Sequence, residues 1–409
     1  MTAPQLVIIA DDLTGAADTA GAFASTGLAV VLSLAGLTTP EAEVLALSTD
    51  CRDAGSGDVY QRVSATLARA RCNGEPRRWF QKIDSAMRGH PGAEIPMIMQ
   101  AIGCEIAVCA PALPAQGRTV VDGQVVINGH PLHLTTLGEG KPSSSVETIL
   151  SLPAGMRVVA VNLASLRSQG ALDRLIQTGE SPTLLIVDAE TEDDLLMIAR
   201  AIVDRPDILP VGSAGLGTAV ASKCCLPPRG LTRGNIRASP APAFCVAGSA
   251  HQVCARQVEF ARGQGAAVVR PFQIEHRWTS REIDDLRERI RDHLRAGKDT
   301  ILTTAGFAPS MLDGQVLSEQ LAWVAAGPIL DGLCGSLLLT GGDIAAAVCT
   351  QIDADFIWVR GEVSAAIPWG VLGGGPCAGI PIVTKAGSFG SQSGIAEAMT
   401  FLHSAGQSA

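Results

Sequence analysis

Short runs of apolar and β-branched residues alternate with longer amphipathic stretches along most of the chain, and no other feature narrows the fold as sharply. The first runs fall at residues 6–10, 30–34, 44–48, 79–83, 106–110, 157–160 and 183–187. Helical periodicity lies between them, at residues 16–26, 59–71, 91–102, 144–150, 172–178 and 192–203. A strand that is apolar throughout is buried on both faces, and strand–helix alternation is how a chain builds a parallel sheet. Residues 119–136 break the rhythm. There Asp122-Gly123 and Asn128-Gly129 flank β-prone triplets, which predicts a hairpin.

A chain of 409 residues is long enough for two domains. The segment 226–242 reads LPPRGLTRGNIRASPAP, with four prolines and no apolar period, and is the expected linker. A second α/β pattern follows, with strands at 243–247, 267–270, 300–303, 336–339 and 382–384. Its helices are expected at 252–264, 280–296, 343–352 and 391–404. The expected fold is therefore α/β with two domains, 1–230 and 240–409. Each has a mostly parallel sheet flanked by helices, and the active site is expected in the cleft between them.

Composition removes several alternatives. Aromatic residues make up 4% and the formal net charge is -9, so neither stacking platforms nor a basic field for nucleic acid is present. The eleven cysteines form no CxxC or other zinc spacing and read as free thiols in a reducing compartment. The first strand begins at once, without the basic and apolar segments of a secretory signal, and no apolar run is long enough to span a bilayer. A cytoplasmic enzyme without membrane or nucleic-acid partners is expected, and a homodimer is compatible with that reading.

The chemistry-bearing residues gather where the strands end. Ala10-Asp11-Asp12-Leu13-Thr14-Gly15 follows the first strand, at the edge where open α/β sheets place ligands. Two adjacent acids there call for a substrate hydroxyl, a metal or a base partner, whereas a single acid would only cap the helix. Side chains that leave a strand in succession point apart, so one acid is expected to face the ligand and the other to cap or hold a cation. Asp12, further past the strand end, is the expected catalytic acid–base group. Gln81-Lys82-Ile83-Asp84-Ser85-Ala86-Met87-Arg88-Gly89 offers cations, an acid and a hydroxyl, a set suited to a polyhydroxylated anion. Arg52, in Ser48-Thr49-Asp50-Cys51-Arg52-Asp53, is a third cation at a strand end.

The second half carries glycine-rich strand ends at Gly248-Ser249, Thr340-Gly341-Gly342-Asp343, Gly373-Gly374-Gly375 and Lys385-Ala386-Gly387-Ser388. Such junctions expose N–H groups at a positive helix end and suit phosphate. Neither GxxxxGK[ST] nor a dinucleotide fingerprint is present.

Taken together, ADDLTGAADT, KIDSAMRGHPGAEI, CAPALPAQGRTVVDGQVVINGHPLHLT, VGSAGL, TGGD and IVTKAGSFG resemble the four-carbon acid sugar kinase family, in order and over nearly the whole chain. The resemblance implies an N-terminal substrate domain, a C-terminal nucleotide domain, and ATP as phosphoryl donor to the terminal hydroxyl of a threonate, an erythronate or a 3-oxo-tetronate. Phosphoryl transfer of this kind uses Mg²⁺. Matched motif by motif, Asp11 and Asp12 would be catalytic, and Arg52, Lys82, Ile83, Asp84, Ser85 and Arg88 would bind the substrate. Ser249, Gly341, Gly342, Asp343, Ile344 and Gly387 would bind the nucleotide. Ala86-Met87 departs from the family's usual Thr-Leu, Ala250-His251 from its polar pair, and Ala386 and Ser388 from its Lys-Ser-Gly-Asn. Two other readings compete on the residues alone: a nucleotide-dependent oxidoreductase of a sugar acid, and a non-catalytic sugar-acid-binding protein.

Overall fold

The computed structural model describes residues 2–34, 39–177, 182–231, 233–249, 251–307 and 312–407, so Thr178 and Ala250 lie outside the described residues. The chain divides into two compact units, Met1–Leu28 with Glu41–Arg229 and Ala29–Pro40 with Gly230–Ala409.

The strands up to the linker are β1 (Leu6–Ala10), β2 (Val30–Ser33), β3 (Val44–Ser48), β4 (Arg78–Lys82), β5 (Ile106–Ala110), β6 (Arg118–Val121), β7 (Gln124–Ile127), β8 (His130–Pro131), β9 (Arg157–Val161), β10 (Thr183–Val187) and β11 (Ile208–Gly212). In the first unit a parallel sheet runs in the order β3-β1-β4-β11-β5-β10-β9. Every residue of β1, β3 and β10 is buried, as continuous apolar runs require. The expected hairpin is present as β6-β7-β8. Its turns use Asp122 and Gly123 at φ 49 and 68 and Asn128 and Gly129 at φ 49 and 82, the left-handed pairs that a two-residue hairpin needs.

Strand β2 was expected in the first domain. It belongs instead to the second unit, where Val30–Ser33 pairs antiparallel with a long strand far along the chain. The remaining strands are β12 (Ala243–Ala247), β13 (Ala267–Val269), β14 (Thr300–Thr303), β15 (Ser336–Thr340), β16 (Phe356–Ser364), β17 (Ile367–Gly373) and β18 (Pro381–Lys385). Their order is β13-β14-β12-β15-β18-β17-β16-β2, parallel from β13 to β18 and antiparallel beyond.

Three features escaped the sequence reading. Helix Gly314–Leu330 is buried at Leu321, Ala322, Val324, Ala325, Ala326 and Ile329, so it has no polar face to set a period, and it contains Pro328. The β16–β17 hairpin carries Arg360, Glu362 and several glycines, which hide its alternation. Strand β11 carries Pro210 within its Ile-Leu-Pro-Val-Gly run, and helix Ala214–Lys223 is built mostly of small residues. Among the described residues, no helix is long and apolar enough to cross a membrane.

Candidate active site

Register brings the first unit's polar residues together. Ala10 pairs with Ser48 on one side and with Lys82 on the other, so β3, β1 and β4 end level and their loops leave side by side. The loop after β3 supplies Arg52, the loop after β1 supplies Asp11 and Asp12, and the loop after β4 supplies Asp84, Ser85 and Arg88.

Arg52 is the hub. Its Nε and Nη2 donate to the two Asp11 oxygens at 2.8 and 2.7 Å, and its Nη1 donates to Asp12 Oδ2 at 2.5 Å. Asp84 Oδ1 lies 3.9 Å from Nη2. These carboxylates hold the Arg52 pKa above its ordinary value even though burial works the other way. Arg52 was expected as a cation free for the ligand, but two carboxylates already claim it.

Asp11 holds the cation Arg52, one of the two tasks expected of it, and the helix cap falls on Asp12. Asp12 caps helix Leu13–Ser25, which starts earlier than expected, and its Oδ1 accepts the Gly15 N–H at 2.8 Å. Thr14 Oγ1 donates to Asp12 Oδ2 at 2.5 Å. The Asp12 side chain is still 15% exposed while that of Asp11 is 2% exposed, so capping and access fall on one residue. Asp11 is enclosed, and burial raises its pKa against the pull of Arg52.

Lys82 is nearly buried, with Nζ 3.8 Å from Asp18 Oδ2. Gly15 keeps this space open, because a Cβ there would stand 2.8 Å from Lys82 Nζ. Asp84 is bonded on every side. It accepts the Ala86 N–H at 2.9 Å and takes Arg88 Nε and Nη2 at 3.0 and 2.7 Å. Burial alone would raise its pKa, but Arg88, Arg52 and Lys82 outweigh it and hold the carboxyl far below the ordinary range. Ser85 Oγ accepts from Arg118 Nη1 at 2.6 Å, which leaves its own proton to donate. Ile83 gives its side chain to the core and its N–H to the Gly212 carbonyl at 2.8 Å. Met87 sits at φ 56 with its carbonyl held by Lys141 Nζ at 2.7 Å.

Arg118, Lys141, Asp18 and Glu94 were not anticipated. Arg118 and Lys141 stand far along the chain from the strand ends they serve, and a helical Asp18 or Glu94 reads as a solvated face. Glu94 accepts from Thr49 Oγ1 at 3.0 Å, and burial with the nearby Asp11 charge pushes its pKa from 4.5 to about 7. The folded state therefore binds more protons than the unfolded state between these two values, so stability falls as pH rises through them. Glu94→Gln should remove that slope, with a gain on the order of 3 kcal/mol at most above pH 7 and little change below pH 4.5. Urea melts across the range measure it.

In the second unit the same register logic holds. Ala247 pairs with Thr340, and Thr340 with Lys385, so the loops at 248–249, 341–343 and 386–387 leave adjacent strands together. Gly341, not Asp343, is the N-cap of helix Gly342–Gln351, with φ 103 and no side chain over the helix end. Asp343 lies in the first turn. Ile344 is buried beneath Gly248, where a Cβ would come within 2.5 Å of its Cδ1. A Cβ on Gly387 would overlap the Ser249 side chain, so those two residues meet. The result is a backbone-lined cradle at a helix N-terminus, a setting that suits a phosphate. Among the described residues, no group of three or more His, Cys, Asp or Glu is placed to hold a metal ion.

Comparison with known proteins adds the following. A family profile described as a sugar-binding N-terminal domain matches residues 6–220, and one described as a nucleotide-binding C-terminal domain matches residues 244–395. The chain is 32% identical to the D-threonate kinase of Salmonella typhimurium, over 97% of this chain and 98% of that one. It is 31% identical to the D-threonate kinase of Bordetella bronchiseptica, over 96% of each. The D-erythronate kinase of Heliobacterium modesticaldum is 26% identical, over 97% of each. A crystal structure of a Salmonella typhimurium LT2 protein superposes with a TM-score of 0.79 at 21% identity, covering 96% of this chain and 98% of that one.

Proposed function

Since the chain belongs to the four-carbon acid sugar kinase family, we propose that it transfers the terminal phosphoryl group of ATP to the terminal hydroxyl of a four-carbon acid sugar. What supports this reading most is the in-register gathering of Asp11, Asp12, Arg52, Lys82 and Asp84–Arg88 at three neighbouring strand ends. A sugar acid needs a cation for its carboxylate and hydrogen-bonding groups for its hydroxyls, and this set offers both.

Each residue then has a part. Lys82 holds the substrate carboxylate, with Asp18 behind it. Ser85 donates to a hydroxyl, its orientation set by Arg118. Asp12 accepts the proton of the attacking hydroxyl, because it is the accessible acid of the pair. Asp11 and Asp84 hold the guanidinium groups of Arg52 and Arg88 in place. In the second unit Ser249, Gly341–Ile344 and Gly387 line the place of the nucleotide phosphates, which the first-turn backbone of the helix receives. Mg²⁺ fits here as the companion of the phosphates, with Asp343 the carboxylate placed nearest the cradle. When bound, it neutralises charge that develops on the transferred group.

D-Threonate is the first candidate acceptor, because the relatives of that name are 31–32% identical, against 26% and 25% for the erythronate and 3-oxo-tetronate kinases. Incubating the protein with ATP, Mg²⁺ and each acid sugar, and following ADP release, tests the reading. No acid-dependent ADP release from any of them would overturn it.

Lys82→Met should raise KM for the acid sugar about 10- to 100-fold, the worth of a charge-assisted hydrogen bond, with kcat little changed. An unchanged KM in a folded variant removes Lys82 from the substrate site.

A further inference from the structure

The second unit buries an ammonium group that nothing described so far uses. Lys385 closes β18 and is 1% exposed, among the largest fully buried side chains of the chain. An ammonium has three donors. Lys385 Nζ donates to the Ala386 carbonyl at 3.0 Å, and among the described residues no carboxylate pairs with it. The groups that face it are thiols: Cys245 from β12 and Cys254 from the first turn of helix Gln252–Gly263. Thr340, its register partner on β15, is turned toward Cys254 Sγ at 3.6 Å. The acids and histidine of the neighbouring elements are engaged elsewhere. Glu397 accepts from Ser393, His403 pairs with Asp299, and Glu259 pairs with Arg262 and Arg270. Burial accordingly lowers the Lys385 pKa.

A lone ammonium in an apolar interior is costly, so its retention calls for an anion that arrives from outside. The position says which one. The Lys385 carbonyl accepts the N–H of Gly341, the N-cap glycine, at 2.9 Å. Ala386, the acceptor of the ammonium, directly precedes Gly387, which abuts Ser249. The charge thus lies beneath the point where all three loops of the cradle meet. We infer that Lys385 is the buried counter-charge of the nucleotide polyphosphate, acting from below the backbone cradle. This rests on the reading that the second unit holds the nucleotide.

The experiment is titration calorimetry of the full chain with ADP and with adenosine, beside a thermal melt without ligand. Lys385→Met keeps a long flexible chain and removes the charge. It should bind ADP about 10- to 100-fold more weakly and adenosine as before, and its melting temperature should not fall. A structural lysine would give the opposite melt and lose both ligands in parallel, which would overturn the inference. ADP affinity within about twofold of the parent would also overturn it and leave the kinase reading standing, whereas no ADP binding by the parent would remove both. Should the Met variant fail to fold, Lys385→Gln carries the same comparison.

Discussion

Asp12→Asn is expected to lower kcat by about 10²–10⁴-fold, the usual worth of a positioned acid–base group, with a loss of about 1–3 kcal/mol of stability from its broken bond to Arg52. The two halves of that expectation come from different oxygens. Asn caps a helix as well as Asp does, so the Gly15 N–H keeps its acceptor on the first turn. Arg52 keeps both of its bonds to Asp11 but loses the one to Asp12 Oδ2, because an amide nitrogen in that place cannot accept. What is lost is the ability to take a proton on the only carboxylate of the pair that is open to a ligand. Steady-state kinetics with a denaturant melt on the same sample separates chemistry from folding. Near-normal turnover in Asp12→Asn together with none in Asp11→Asn would reverse the assignment, and normal turnover in both would remove the pair from the chemistry.

Asp84→Asn should destabilise the first unit by about 3–5 kcal/mol at neutral pH. Its carboxylate takes two bonds from the Arg88 side chain and two from the backbone N–H groups of Ala86 and Arg88, and it lies 3.9 Å from Arg52. Asn would leave those guanidinium groups beside Lys82 with one negative charge fewer. The sign of the pH effect follows from the depressed pKa. Ionised Asp84 contributes fully above its ordinary value of 3.8, and the contribution is lost as pH falls below that toward the folded value. The gap between parent and variant should therefore narrow in acid. Urea melts at pH 7 and near pH 3 measure it, and a gap that held constant would exclude the charge as its cause.

Much of this architecture is legible from residues alone, because strands buried on both faces leave unbroken apolar runs. The extents expected for residues 6–10, 44–48, 106–110, 183–187, 243–247 and 300–303 match the strands found. The loops that carry function were legible for a related reason, since polar clusters directly after such runs must lie at the sheet edge. What a linear reading lacks is register. That Ala10 stands level with both Ser48 and Lys82 decides that Arg52 meets Asp11 and Asp12, and nothing in the three segments states it. Arg118 was out of reach for the same reason. It meets Ser85 only because the hairpin from Arg118 returns over a loop more than thirty residues earlier. Of the two tasks expected of the second acid, Asp11 takes the cation Arg52 and not the helix cap. The helix starts at Leu13, so the capping position falls on Asp12 itself.

The placement of β2 bears on the order in which the protein is made. Val30–Ser33 leaves the ribosome early, yet its partner β16 begins at Phe356, more than three hundred residues later. At ~5–20 residues per second, this buried Val-Val-Leu-Ser strand waits roughly 15–65 s for β16, by which time every strand of the first unit has been synthesised. During that interval it lacks its antiparallel partner, and a completed β16 on another copy of the chain offers the same pairing. A fragment that begins near residue 240 meets the complementary difficulty. It makes β16 without ever containing β2, so excising the glycine-rich half by its linker would leave bare the side of β16 that Val30–Ser33 covers in the whole chain.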